Sequence, residues 1–426
     1  MKRIAIVIPR YGEAINGGAE AHARLLAEHL AEEFEVEVLT SCARDYTDWA
    51  MRFPPGPCRV GGIRVWRFPH PPRNDLGRAR VPLRHKLRFK LRHLLRWLPG
   101  PRVARPRGEP AYDGLTFLRR QGPHCVDLFE HLRGAAPHYD AVIFFAALYE
   151  LTALGIQHWG RRSILVPLLH DEKPIYLPVF HQVMRSAGAI LFNTDAERRL
   201  AARLYGLDTS KAGVAGLGIS TRRPGAGVVQ AVLGRFGLAP GYMIYVGRIE
   251  VAKGCRELVE AFLELARTDP KARLVMVGQG VMQVPSHPQI VVTGYLAESD
   301  RDALVAAAGA LVIPSRYESL SMVLLEALSL HTPVIANGHC EVLADHVRLS
   351  GAGVVYRRRR GLVAAMRSMM SLPAPERERM GALGAAYVER QYSWPRVMGI
   401  FAAAIAQVSA LPPDPVDAQA WPSTTS

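Results

Sequence analysis

No stretch of the 426-residue sequence approaches the ~20 consecutive apolar residues needed to span a bilayer, which excludes a helical membrane-spanning protein. Met1-Lys2-Arg3 precedes only the short apolar run Ile4 to Ile8, too short for the core of a signal peptide. Cysteine is scarce and scattered: Cys42, Cys58, Cys125, Cys255 and Cys340 form no C-x-x-C pair and have no matching histidine spacing. A disulfide framework and a zinc site are therefore unsupported, and a reducing cytoplasm is the simple reading. No D-x-D metal motif stands at a strand end, and no G-x-G-x-x-G follows the first strand, so a Rossmann dinucleotide site is a weak reading. The composition, 49% hydrophobic and 21% charged, is that of a globular chain with two or three domains.

Acidic residues are missing from one place in particular. Residues 73–107 hold twelve Lys/Arg against the single Asp75, so much of the net charge of +15 is one local feature. Between Pro82 and Pro99, Leu83, Leu87, Leu91, Leu94, Leu95 and Leu98 follow a helical stripe, with Arg84, Lys86, Arg88, Lys90, Arg92 and Arg96 largely elsewhere. A basic amphipathic helix over residues 83–98 suits an anionic membrane surface. At 1.5 Å per residue it is only ~24 Å long, and so many charges exclude spanning. A helix packed on its own domain with solvated arginines is the other reading. Nucleic acid is not expected, because no recognition motif accompanies the charge.

The rest of the chain is organised around residues 311–337. Leu311-Val312-Ile313-Pro314 reads as a buried strand and Ser315 to Tyr317 as a loop. Glu318 to Leu330 carries apolar residues at helical spacing (Leu320, Val323, Leu324, Ala327, Leu328). Pro333 stops the helix, and Val334-Ile335-Ala336 is the next strand. Ligands of such parallel units sit beyond the strand ends. On one helix, Glu318 and Glu326 would lie about 80° apart in azimuth and ~12 Å apart along the axis. That exceeds the ~5–9.5 Å of a glycosidase carboxylate pair and suits two hydroxyl-bearing ends of one extended ligand. A solvated helix face is the bland alternative, but Val-Leu-Leu-Glu-Ala-Leu-Ser-Leu leaves little room for one around Glu326.

Upstream, Met243-Ile244-Tyr245-Val246 reads as a strand followed by Gly247-Arg248 and, five residues on, Lys253-Gly254. Two cations between a strand end and a helix start make a diphosphate clamp. Strands ending at Gly278 and at Gly294-Tyr295 follow. In the first part, Ile4 to Ile8 reads as a central parallel strand, and Gly17-Gly18 before a helix lets a backbone approach an anion. Leu168-Leu169-His170-Asp171-Glu172 follows another buried strand, so His170 and Asp171 stand at the carboxyl edge of a sheet. Residues 53–72 read as a loop-like insertion around a strand Arg64–Phe68, residues 214–219 as the last strand of the first domain, and residues 216–228 as a linker.

In order and spacing, Arg248, Lys253, Glu318 and Glu326 resemble the G-R-x4-K-G and E-x7-E signatures of family-four retaining glycosyltransferases, with Gly17-Gly18, His170 and Tyr392-Ser393-Trp394 as weaker signals. The resemblance implies an α/β GT-B fold: two facing Rossmann-like domains, a deep interdomain cleft and a C-terminal helix crossing back. The corresponding boundaries are 1–218, 219–390, 391–410 for the returning helix and 411–426 for a disordered tail. It further implies that Glu318 contacts the transferred sugar, Glu326 the nucleotide ribose, His170 the sugar, and Gly17 and Gly18 the donor's phosphates and sugar. Gly278, Gly294 and Tyr295 would line the nucleotide site. The expected partners are a nucleotide-sugar donor and a glycan or lipid-linked acceptor, with no cofactor and no metal. Cell-surface polysaccharide or lipopolysaccharide synthesis on the cytoplasmic face is the expected setting. Where relatives often have Gly-Phe-Gly this chain has Ser319-Leu320-Ser321, and His331 replaces a common Gly. Serines there should restrict positive φ and add hydroxyls near the sugar. A binding protein on an inactive scaffold and a nucleotide-sugar epimerase stay open as alternatives.

Overall fold

The computed structural model describes residues 1–15, 17–71, 111–134, 138–207 and 212–412, with positions 83, 86, 87, 90 and 91. The expected tail from 413 onward and most of the basic segment 73–107 lie outside the described residues. Of the helix expected over 83–98, the five described positions are helical, with Leu83, Leu87 and Leu91 exposed. No helix among the described residues is long and apolar enough to cross a membrane.

The chain divides into two α/β units, Met1–Gly216 with Met398–Ser426, and Leu217–Val397. In the first unit the strands are β1 (Arg3–Val7), β2 (Glu35–Ser41), β3 (Gly56–Val60), β4 (Ile63–Phe68), β5 (Ala141–Phe145), β6 (Ser163–Val166), β7 (Ala189–Phe192) and β8 (Ala212–Val214). Their order in the sheet is β3-β4-β2-β1-β5-β6-β7-β8, parallel except for β3 against β4. The order reverses between β1 and β5, which pair from Ile4↔Ala141 to Val7↔Phe144. Ile4, Ala5, Ile6 and Val7 are all fully buried, as the continuous apolar run requires of a strand covered on both faces. On one face Val7, Leu39 and Phe144 share a core with Leu128, Leu151 and Ile156 from helices Val126–Gly134 and Glu150–Trp159.

In the second unit the strands are β9 (Met243–Val246), β10 (Leu274–Val277), β11 (Ile290–Gly294), β12 (Ala310–Ile313), β13 (Val334–Asn337) and β14 (Gly353–Tyr356). They form a parallel sheet in the order β11-β10-β9-β12-β13-β14. Here the reversal falls between β9 and β12. Chains leaving two such strands turn to opposite faces and open a crevice at their carboxyl ends. The sequence motifs can be located against those two switch points.

Three sequence expectations change. The insertion 53–72 is a β3–β4 hairpin at the sheet edge, its Gly and Pro residues disguising an antiparallel strand. The segment taken as linker, 216–228, already runs into the first turn of helix Ala226–Phe236, and β8 stops at Val214, short of the strand expected to reach Ile219. Glu318 is not helical. The helix of this unit is Met322–Ser329, because Ser321 adopts left-handed φ 67°, ψ 75° and breaks the helical run before it. The ~12 Å span along one axis therefore does not describe Glu318 and Glu326.

Candidate active site

Three motif residues of the second unit, Arg248, Lys253 and Glu318, stand beyond the strand ends at the β9/β12 switch. After β9 the chain passes Gly247 (φ 142°) and Arg248, makes a 3-10 turn over Val251–Lys253, and enters helix Cys255–Ala266 through Gly254 (φ 79°). A Cβ on Gly254 would lie 2.5 Å from the Pro314 carbonyl oxygen. Glycine thus brings the turn against the loop that follows β12. The result is a contact between two strand ends: Lys253 Nζ donates to Glu318 Oε1 at 2.9 Å. The side chains are 37% and 17% exposed, so the pair is open to water on its cationic side. Such a pair is worth at most about 1 kcal/mol to the fold. Arg248 stands beside this turn with its Nε 3.6 Å from Glu250 Oε1. Its main chain is fixed by the Tyr245 hydroxyl, which donates to the Arg248 carbonyl at 2.8 Å.

The loops after β10 and β11 are knitted to the same edge. Gly278 (φ 138°) donates its N–H to the Gly294 carbonyl, and a Cβ on it would meet the Gly247 oxygen at 2.0 Å. Ile249 bridges to Gly280. Gly278 and Gly294 are therefore backbone neighbours of the segment carrying Arg248, while the Tyr295 side chain is 73% exposed.

Glu318, Ser319, Leu320 and Ser321 form a compact loop in which the last three are buried. Against expectation, Ser321 takes a positive φ despite its Cβ, and its buried Oγ has no hydrogen-bond partner. His331 has φ 64°. It ends helix Met322–Ser329 in a Schellman arrangement: Thr332 N–H donates to the Ala327 carbonyl at 2.8 Å and His331 N–H to the Leu328 carbonyl at 3.0 Å. Ser321 and His331 thus hold backbone conformations that favour glycine. Glu326, inside this helix, is paired with Arg301 from helix Glu298–Ala307, Nη1 to Oε2 3.7 Å. Burial pushes the Glu326 carboxyl up from its ordinary range, and the Arg301 charge opposes that shift. Nothing in the sequence pattern marks Arg301 as this partner.

In the first unit, Gly17 caps helix Gly18–Leu30 in an extended conformation. Its bare Cα is explained from inside the protein. The Glu20 carboxylate folds back so that a Gly17 Cβ would be 2.0 Å from Oε2. Glu20 forms a buried ion pair with Arg10, which also donates to the Arg44 carbonyl at 3.1 Å and lies over the Tyr46 ring. Gly18 has open space where a Cβ would sit. His170 follows β6, partly exposed, with Nδ1 3.4 Å from Glu172 Oε1. Asp171 accepts from the Tyr176 hydroxyl at 2.6 Å, which gives it a structural partner.

Beneath the His170 loop lies Glu197, which the sequence places at a strand-to-helix junction without a role in the site. Glu197, wholly buried, accepts from the Leu169 N–H at 2.6 Å and the Asn193 N–H at 2.7 Å. Burial raises its carboxyl to about 7, against the lowering effect of these backbone donors. The spacing Thr194-x-x-Glu197 is a capping-box signal that could have flagged it, and Thr194 Oγ1 does accept from the Glu197 N–H. The Glu197 carboxylate has instead turned to tie two strand-end loops.

The profile of the family described as glycosyl transferases group 1 matches residues 236–386. Among curated proteins, the glycogen synthase of Mycobacterium tuberculosis is 33% identical over 154 residues, covering 34% of this chain and 37% of the relative. The chain spans about a third to a little over half of the length of such relatives. Among solved structures, HepE of Anabaena in complex with UDP and glucose superposes with a TM-score of 0.65 at 15% identity, covering 95% of this chain and all of that one. WaaG, a glycosyltransferase involved in lipopolysaccharide biosynthesis, gives 0.62 at 15% identity over 94% and 98% of the two chains. The two α/β units share the GT-B fold of these structures, and the unit that carries Arg248, Lys253, Glu318 and Glu326 is the one that matches the profile of the group 1 glycosyl transferases.

Proposed function

We propose that this chain is a retaining hexosyltransferase that moves a sugar from a nucleoside-diphosphate donor to a glycan or lipid-linked acceptor in cell-surface polysaccharide or lipopolysaccharide synthesis. The observation that carries the reading is the partly open Lys253–Glu318 contact across the β9/β12 switch, with Arg248 on the same turn. A cation pair meets a carboxylate there, as a diphosphate joined to a sugar requires. UDP and glucose on HepE support the donor class, and the lipopolysaccharide role of WaaG supports the acceptor class.

Breaking the bond between the anomeric carbon and the diphosphate leaves negative charge on the departing oxygen. Arg248 and Lys253 meet that charge, helped by the first turn of helix Met322–Ser329. The acceptor hydroxyl attacks on the face the diphosphate leaves, one C–O bond forming as the other breaks. Its proton passes to the leaving phosphate. Glu318 holds the sugar hydroxyls and Glu326 the ribose, while His170 is assigned to the sugar by resemblance. Positive charge comes from side chains, so no metal is invoked. Proton NMR of the product is the test: an α donor should give an α product at a rate unchanged by EDTA. A β product overturns retention, and loss of turnover in EDTA overturns metal independence. Screening nucleotide-sugars for thermal stabilisation identifies the donor, because bound ligand raises Tm by mass action.

We also infer that the basic helix over 83–98 docks on an anionic membrane surface at the cytoplasmic face. The exposed Leu83, Leu87 and Leu91 recur at helical spacing and support this. Reversing the charge of Arg88, Lys90 and Arg92 should abolish binding to phosphatidylglycerol vesicles. Unchanged binding would reassign the helix to packing within the protein.

A further inference from the structure

The loop Glu318–Ser321 is held from behind by groups that no motif predicts. The Leu320 carbonyl oxygen lies 2.8 Å from His346 Nε2 on helix Glu341–Ser350. A carbonyl can only accept, so Nε2 carries the proton and donates. That choice leaves Nδ1 as an acceptor, and the Tyr387 hydroxyl on helix Ala374–Tyr392 donates to it at 2.9 Å. Both side chains are buried. Tyr392 packs against both rings, with centroids 5.8 Å away in each case, and its carbonyl accepts the Ile219 N–H at 2.8 Å. A path of contacts thus runs from Leu320 through His346, Tyr387 and Tyr392 to Ile219.

The loop needs such a tie. Ser321 follows Leu320 directly and is held in a left-handed conformation that L-residues avoid, with its buried Oγ unpartnered. Strain of this kind persists only where surrounding structure over-determines it. At the Glu318 end, Lys253 holds the side chain at 2.9 Å and the main chain has a long Cys340 Sγ contact to the Glu318 carbonyl at 3.8 Å. The hydrogen bond from His346 reaches the loop's main chain at Leu320, directly before the left-handed residue.

We propose that His346 and Tyr387 form a buried positioning relay that sets the Glu318–Ser321 loop, and that they influence transfer through the Leu320 carbonyl without touching substrate. Its catalytic consequence rests on the reading of Glu318 as the sugar-contacting carboxylate; its structural core does not. Since Arg248, Lys253 and Glu326 hold the nucleotide end, a displaced loop misplaces the sugar while binding is retained. The relay should therefore appear in kcat and leave the donor KM alone.

The test uses the full chain with Tyr387→Phe, His346→Leu and His346→Gln, the last keeping a donor near the Nε2 position. Amide hydrogen exchange over residues 318–322 should rise about 10-fold or more in Tyr387→Phe and His346→Leu, and return toward wild type in His346→Gln. With a nucleotide-sugar that the wild type turns over, kcat should fall about 10- to 100-fold in the first two variants. The donor KM should stay within about 3-fold, the signature of an interaction made only in the transition state. Unchanged exchange at 318–322 in folded Tyr387→Phe overturns the relay, whatever His346→Leu does. Raised KM at unchanged kcat overturns the positioning role. A wild type that consumes no nucleotide-sugar overturns the proposed function, and the exchange measurement still decides the relay.

Discussion

Each of the two sheets has an ion pair beyond the carboxyl end of a switch strand, and the two pairs differ in exposure. After β1, Arg10 and Glu20 are 10% and 9% exposed and the pair is sealed. At the β9/β12 switch, Lys253 and Glu318 are 37% and 17% exposed, and the pair faces water. A sealed pair is expensive to break, because the surviving charge is left without water. An open one can exchange its partner for a ligand at little expense to the fold. Burial therefore separates a structural pair from an available one where residue type alone does not.

The sharpest way to break this comparison is to remove one cation from each. Arg10→Ala should lose about 3–5 kcal/mol of stability, visible as a large fall in Tm. Lys253→Ala should change stability by no more than about 1 kcal/mol while turnover falls about 10²- to 10³-fold. If Lys253→Ala unfolds the protein, or Arg10→Ala leaves Tm unchanged, the distinction fails.

A second contrast lies in the loop ties: a buried carboxylate at Glu197 in the first unit, a buried imidazole at His346 in the second. Burial raises Glu197 to about 7, so the folded state holds that proton more tightly than the unfolded chain. Stability from this group is lost as pH rises from about 4.5 to about 7. Burial lowers His346 to about 4, with the Leu320 hydrogen bond opposing. The unfolded chain protonates first here, so stability is lost as pH falls from about 6.5 to about 4. The slopes oppose one another over a shared window. Each amounts to roughly 3 kcal/mol at its limit. Glu197→Gln should therefore steepen the fall in Tm between pH 6.5 and pH 4.5, and His346→Gln should flatten it. Parallel curves for wild type and both variants would remove the contrast.

The smallest expected effect concerns Ser321. Ser321→Gly relieves the positive φ and deletes a buried unpartnered hydroxyl, partly offset by the freedom glycine gains in the unfolded chain. A net gain of about 1 kcal/mol or less is expected, read as a small rise in Tm. A fall would mean that the Ser321 hydroxyl has a stabilising role.

Much of the second unit is legible in the sequence because its strands are short apolar runs and its cations and carboxylates stand at their ends. Gly247-Arg248 and Lys253-Gly254 occupy the turn that their spacing suggests. The start of helix Met322–Ser329 is not legible, since Ser321 has ordinary propensities and only tertiary ties explain its left-handed backbone. The β3 strand hides for a related reason: Gly56 and Pro57 look like loop residues, and an edge hairpin tolerates them. Partnerships such as Arg301 with Glu326 join residues from separate helices, and no periodicity within either helix reports them. Glu20 and Glu197 were readable as helix-start acids, but not their inward turn, which depends on what the fold leaves unsatisfied nearby.

Left-handed residues bracket helix Met322–Ser329 at both ends, Ser321 before it and His331 after it. Such a segment can neither lengthen by a residue nor slide, since either change would force a non-glycine residue of new identity into each bracket. Glu326 is thereby locked at a constant reach from the Glu318 loop. On the roles proposed for Glu318 and Glu326, the pair would act as a gauge: a donor with a longer or shorter bridge between its two sugars would miss one of its contacts, and the segment has no slack with which to follow it.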